Sequence, residues 1–321
     1  MRTHDNQAPG AASFARAGGR LLTATLLAFA LLAFSGGAAA QTQRSFATPD
    51  LAVEALLQAV QAQDAAALVA VLGPAREWLF TGDRVADRAM TKSFADAYKA
   101  KHRIAAEGDK ATLLIGADDY PFAFPLVRTG SEWRFDTEAG KDTLLARRIG
   151  GNELAAIEVL RAIVDAQIEY ASADRNGNGV LEYARKFESS PGKRDGLYWK
   201  AKAGEPESPL GPLLAHASAQ GYTKAKQGPT PYHGYLFRLL DGQGKPGAPD
   251  AVDYVVRGRT IGGFAAVAYP AKYGNTGIMT FVVNHDGVVH QADLGPKTAA
   301  IAGKTKRMVL GPAWTRVDAK K

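Results

Sequence analysis

The chain contains no cysteine. Disulfide scaffolds, thiolate nucleophiles and Cys-ligated zinc are thereby excluded, and the chain must rely on core burial. Other absences narrow the chemistry further. There is no H-E-x-x-H pair for a catalytic metal, no G-x-S-x-G elbow for a serine nucleophile and no Walker loop for phosphates. No basic stripe is interleaved with aromatics. The densest basic group of the C-terminal part is Lys304, Lys306 and Arg307, so a nucleic-acid partner is not expected. The formal charge is +7, of which Arg2, Arg16 and Arg20 against Asp5 place +2 in the first forty residues and leave an ordinary +5 for the remainder.

The first forty residues carry the clearest signal. Three arginines precede the uncharged run Leu21 to Phe34, and small residues follow. Ala38-Ala39-Ala40 before Gln41 fits an A-x-A cleavage site, the pattern of a secretory signal peptide. The apolar run is short of the roughly 20 residues of a membrane span. The expected product is residues 41–321, periplasmic or secreted, with no membrane span after cleavage.

Residues 41–150 read as helices followed by strands. Ser45 or Thr48 can cap a helix carrying Leu51, Ala55, Leu56, Ala59 and Val60. A short helix follows Asp64 and stops at Gly73-Pro74. Asp83 to Lys101 reads as helical, with Phe94 and Tyr98 one turn apart. Lys110 to Ile115, Phe122 to Arg128 and Glu132 to Asp136 read as strands, the last two joined at Thr129-Gly130-Ser131. This order is an α+β pattern, and it resembles the nuclear-transport-factor-2-like superfamily.

Gly150-Gly151 reads as a boundary between a 41–150 domain and a 151–321 domain. Asn152 can cap a long helix whose apolar stripe is Ile157, Leu160, Val164, Ile168 and Ala171. A Gly- and Pro-rich stretch from Ser189 to Pro212 follows, and Ser208 can cap a helix running to Gly221. Tyr235 to Leu240, Phe264 to Tyr269, Ile278 to Val283 and Val288 to Gln291 then read as an antiparallel meander. The expected class is α+β throughout: helices plus a meander, then one long helix packed on an antiparallel sheet.

The second half resembles the soluble part of type IV pilins and pseudopilins, through Ile157 to Ile163, Gly234-Tyr235-Leu236-Phe237 and Phe281-Val282-Val283-Asn284. It departs from true pilins in lacking the prepilin cleavage signal with an unbroken hydrophobic helix behind it, which counts against fibre assembly. From about Leu154 to Pro296 the chain also resembles DUF2950, a family of exported bacterial proteins of unknown function. Glu182-Tyr183-Ala184, Asp195-Gly196-Leu197-Tyr198-Trp199, Ser208-Pro209-Leu210-Gly211-Pro212-Leu213, Tyr232-His233-Gly234-Tyr235 and Asp293-Leu294-Gly295 carry that resemblance. It implies export and a pilin-like half, and no known activity.

The candidate ion site is the run after the long helix. Asp174, Asn176 and Asn178 alternate and Gly179 follows, the front half of an EF-hand loop. Val180 would offer its carbonyl and Glu182 would stand at the ninth position. The twelfth is Arg185 where a bidentate Glu belongs, so the loop would be a weak calcium site, with Kd about 0.1–1 mM. Without an ion the same residues make an ordinary Asn-Gly turn. The remaining candidates read as structural. His285 and His290 are turn and strand histidines, Asp118-Asp119 a solvated turn, and Gly258, Gly262 and Gly263 turn glycines. Tyr198, Trp199, Tyr232, Tyr235 and Phe237 are core residues that can alternatively line a glycan or peptide groove. The function expected is a non-catalytic exported module binding an envelope protein or glycan. The alternatives are a carboxylate-dependent envelope hydrolase acting through Glu182 and Asp174, and a component of a pilus-like assembly.

Overall fold

In a computed structural model, residues 43–74, 76–223 and 229–317 are described. The leader and its cleavage point lie outside them. Among the described residues the helices are α1 (Pro49–Gln61), α2 (Ala65–Leu72), α3 (Arg76–Leu79), α4 (Arg84–Ala100), α5 (Thr137–Ala171), α6 (Gly211–Ala219) and α7 (Thr298–Ala302). The strands are β1 (His102–Glu107), β2 (Lys110–Ile115), β3 (Tyr120–Pro121), β4 (Leu126–Thr129), β5 (Glu132–Phe135), β6 (Tyr235–Leu240), β7 (Gly242–Gln243), β8 (Val252–Asp253), β9 (Val255–Val256), β10 (Arg259–Thr260), β11 (Ala265–Pro270), β12 (Met279–Asn284), β13 (His290–Asp293), β14 (Arg307–Met308) and β15 (Thr315–Arg316). The fold is α+β.

The first sheet runs β1-β2-β4-β5, with β3 also on β2. The caps that start its helices are legible in the sequence. Thr48 accepts from the Leu51 N–H, while Asp64 and Asp83 each accept from two first-turn amides. Gly130 takes φ +63° in the two-residue turn that pairs Thr129 with Glu132. β1 was not expected, because its side chains alternate weakly and mostly face solvent. Ala52, Leu56, Val71, Leu113, Leu126 and Phe135 form the centre of this half's core.

The second large sheet runs β15-β13-β12-β11-β6, all antiparallel. Every residue of β11 is buried. Ala266 and Ala268 face the core that α5 covers, with Phe281 and Val283 beside them. Ala265, Val267 and Tyr269 face a second core under Ala302 and Met308. A continuous apolar run is what a strand covered on both faces requires.

The long helix departs most from expectation. It begins at Thr137, capped by Asp136, and not at Asn152. Gly150 and Gly151, expected at a domain boundary, lie inside it. Gly140 explains the earlier start: a Cβ there would come 2.0 Å from Cδ1 of the buried Phe124, so only glycine lets the helix close on the first core. The buried face is Ile157, Leu160, Val164 and also Ile163, Gln167 and Tyr170, whereas Ile168 is 56% exposed. The described residues form one compact unit. Helix α6 likewise starts at Gly211, after Pro209, and Ser208 makes no side-chain cap to it.

Gly150 and Gly151 are exposed, and a Cβ on either would meet nothing within 4 Å. Replacing each by alanine is expected to stabilise the chain by about 0.8–1 kcal/mol, since glycine costs that much in a helix interior. Urea unfolding of G150A, G151A and the double variant checks this. A destabilised double variant would show that the helix must bend there.

Candidate functional site

The loop after α5 is held from three sides. Gln167, fully buried on α5, donates to the Ala184 carbonyl at 2.8 Å and accepts from the Ala184 N–H at 2.8 Å. The Tyr170 hydroxyl donates to the Arg194 carbonyl at 2.7 Å, and burial, reinforced by the charge of Glu182, pushes its phenol up to about 12. The Tyr183 N–H donates to the Thr260 carbonyl at 2.8 Å. Thus α5 and β10 fix both ends of the segment that follows the turn.

Within the turn the expected ligands converge. One carboxylate oxygen of Asp174 accepts from the N–H groups of Gly177 (2.8 Å) and Asn178 (3.1 Å), and the other from Gly179 (2.8 Å). These bonds, the Gly179 one foremost, hold its carboxyl below the usual carboxylate range. Gly177 and Gly179 take φ +73° and +79°, which the turn needs. The Asn176 and Asn178 amides both donate to one oxygen of Glu182, the second at 2.6 Å. The other Glu182 oxygen accepts from the Thr260 N–H at 3.3 Å. The Val180 N–H donates to Asn178 at 2.9 Å, and Arg185 is exposed. Asp174, Asn176, Asn178 and Glu182 thus form one hydrogen-bonded knot, in which the amide nitrogens of both asparagines, and not their oxygens, face Glu182. Among the described residues no helix follows the loop before α6, so the paired-helix frame of an EF-hand is not formed here.

Two hollows lie in this half, the first of them against the knot. One of about 360 Å³ is lined by Tyr170, Glu182, Arg185, Lys186, Asp195 and Thr260. The other, about 470 Å³, is a groove between α5, α6 and β6 with Tyr198, Tyr232, Phe237, Leu213 and Leu214 in its walls. The aromatic residues singled out in the sequence therefore divide. Tyr198, Tyr232 and Phe237 line the groove. Tyr235 is fully buried and bonds the Met279 carbonyl, and Trp199 is core, covered by the Arg194 guanidinium at 5.5 Å.

The other candidates lie elsewhere. Asp119 is ion-paired with Lys101 (2.9 Å) and Arg103 (3.2 Å). His285 packs edge-on to Tyr254 and Phe264. Gly258 and Gly263 take positive φ, whereas Gly262 lies against the Asp253 carbonyl. Among the described residues no group of three or more His, Cys, Asp or Glu is placed to hold a metal.

A second polar cluster escaped the sequence reading. The Tyr222 hydroxyl donates to Asp83 at 2.9 Å across the two halves, and His233, at φ +47°, packs on Tyr222 and Tyr232. Burial lowers the His233 pKa. The charge of His216 adds to the lowering and that of Asp83 opposes it. Since the unfolded value is about 6.5, stability is full above that pH and falls as the pH drops through it toward the folded value. Melting curves between pH 7.5 and 5 should show this fall reduced in H233N, whose asparagine tolerates positive φ. An unchanged pH profile in the variant would remove His233 as the cause.

A long helix joining two antiparallel sheets, with a knotted Asp-Asn-Glu turn at its end, defines the class: an α+β protein built around one shared helix. The chain matches the family described as protein of unknown function (DUF2950) over residues 43–317 and belongs to it. No curated protein and no solved structure matches the chain.

Proposed function

We propose that this protein is an exported, non-catalytic envelope module. Its groove of Tyr198, Tyr232 and Phe237 would bind an envelope protein or glycan, and calcium would pin the separate loop after α5. The observation that carries the reading is the engagement of both loop carboxylates. Asp174 is spent on three backbone amides and Glu182 on two side-chain amides and Thr260. These groups shape a surface. The hydrolase alternative needs one carboxyl kept protonated as an acid, whereas Asp174 is held low by the Gly179 amide. The packing of α5 on β11 and β12 supports a pilin-like architecture for the second half.

Calcium would enter by replacing the two amide donors at Glu182, with Asn176 and Asn178 turning their carbonyl oxygens inward. Asp174, the Val180 carbonyl and Glu182 would complete the set. Its role would be structural. Titration by calorimetry should give Kd about 0.1–1 mM, with binding lost in D174A. No heat at millimolar calcium would leave the loop an ordinary turn. N-terminal sequencing of the exported product should begin at Gln41, and a pull-down from native envelope identifies the partner. Retention of Met1 would end the export reading.

A further inference from the structure

Helix α4 buries none of its residues, although its sequence is amphipathic. A surface helix ordinarily closes its apolar stripe against the core. Here the stripe closes only in part: Phe94, Ala97 and Tyr98 touch the first core but stay partly open. Met90 is 37% exposed and Phe94 is half-buried. Two cavities explain it. An outer cleft of about 570 Å³ lies between α4, the first sheet and α5, and an inner cavity of about 120 Å³ lies behind it. Both are walled by Met90, Phe94, Phe122 and Leu144, and the inner one continues among Leu56, Leu68 and Phe124. The outer volume is in the range of small-molecule sites.

Among the described residues the mouth carries one available cation. Arg147 projects from α5, donates to the Pro121 carbonyl at 2.9 Å and lies 4.5 Å over the Tyr120 ring. Among the described residues it has no ion pair, so guanidinium donors remain for a ligand. Arg148 is engaged with the Trp78 and Leu79 carbonyls and Asn275. Asp87 accepts from the Thr81 N–H and hydroxyl, and Asp118 stands exposed at the rim. One free cation beside one free carboxylate favours a head group with a single negative charge over a phosphate.

We propose that this cleft binds a long-chain fatty acid, its acyl chain under α4 with the tail toward the inner cavity and its carboxylate on Arg147. This site is separate from the groove and from the calcium loop. The test uses the purified full chain and displacement of cis-parinaric acid by palmitate and by hexadecanol, which has the same chain without the charge. Both should displace. R147E should weaken palmitate about tenfold or more, the loss expected when a charge-assisted hydrogen bond is removed, and leave hexadecanol unchanged. Ser93 is exposed on α4 and lines the mouth. S93W, which fills it, should weaken both ligands about tenfold or more with an unchanged melting temperature. Absence of displacement by either ligand, or S93W without effect, would overturn the site. Equal responses of palmitate and hexadecanol to R147E would overturn the head-group assignment.

Discussion

Replacing Gln167 by leucine is expected to lower stability by about 2–6 kcal/mol, because each buried polar group left without a partner costs about 1–3 kcal/mol. Leucine has nearly the volume of glutamine, so packing is largely kept and the polar loss is isolated. The two orphaned groups are the N–H and the carbonyl of the buried Ala184, both bonded to the Gln167 amide at 2.8 Å. Loss of that dock should also free residues 174–184 from the helix, which limited proteolysis near Gly177 and Gly179 reads directly. Urea unfolding measures the stability change. A loss under about 1 kcal/mol, the worth of one ordinary hydrogen bond, would mean that water reaches Ala184 and the dock is not sealed.

The second large effect is expected at Arg148. Its guanidinium donates to the Trp78 carbonyl (2.7 Å), the Leu79 carbonyl (3.1 Å) and the Asn275 side chain (2.7 Å). Asn275 in turn donates to the Glu77 carbonyl at 2.9 Å. One side chain of α5 thus ties the α3 turn of the first half to the β11–β12 connection of the second. Burial lowers its pKa, with the Asp87 charge opposing, yet arginine stays charged at any ordinary pH. Hydrogen bonds to a charged group contribute about 1.5–3 kcal/mol each, so R148M should cost roughly 3–5 kcal/mol after partial relaxation. Calorimetry reads more than the size of the loss. If the halves hold separate cores, as the clusters around Leu113 and around Leu160 propose, the single transition should split into two. A melting temperature equal to that of the parent would show that the seam is held elsewhere, for instance by Tyr222 and Asp83.

Short-range chemistry determined much of this protein by itself. Thr48, Asp64 and Asp83 start their helices because a side-chain oxygen can satisfy local amides whatever lies further along the chain. The Asp174–Gly179 turn is legible for the same reason, since its bonds span no more than five residues. Strands β2 and β6 have their expected limits because their apolar runs end in turn residues. The α+β class follows from that order of elements.

Only the tertiary structure decided the rest, and in each case the partner is distant in sequence. Gly150-Gly151 reads as a break, but packing on both sides carries α5 through it at a cost of about 1 kcal/mol per glycine. Ile168 completes a helical stripe on paper and is left outside, because the buried face is that of Ile163, Gln167 and Tyr170, the last two held by Ala184 and Arg194. Gln167 reads as a polar interruption of that stripe until Ala184 is brought against it. Arg148, Asn275 and Tyr222 carry no local pattern, and nothing in the cap role of Asp83 or in the motif around His233 points to their distant partners. They become a seam only where two sheets, folded from opposite ends of the chain, close on one helix and leave polar groups that must find partners there.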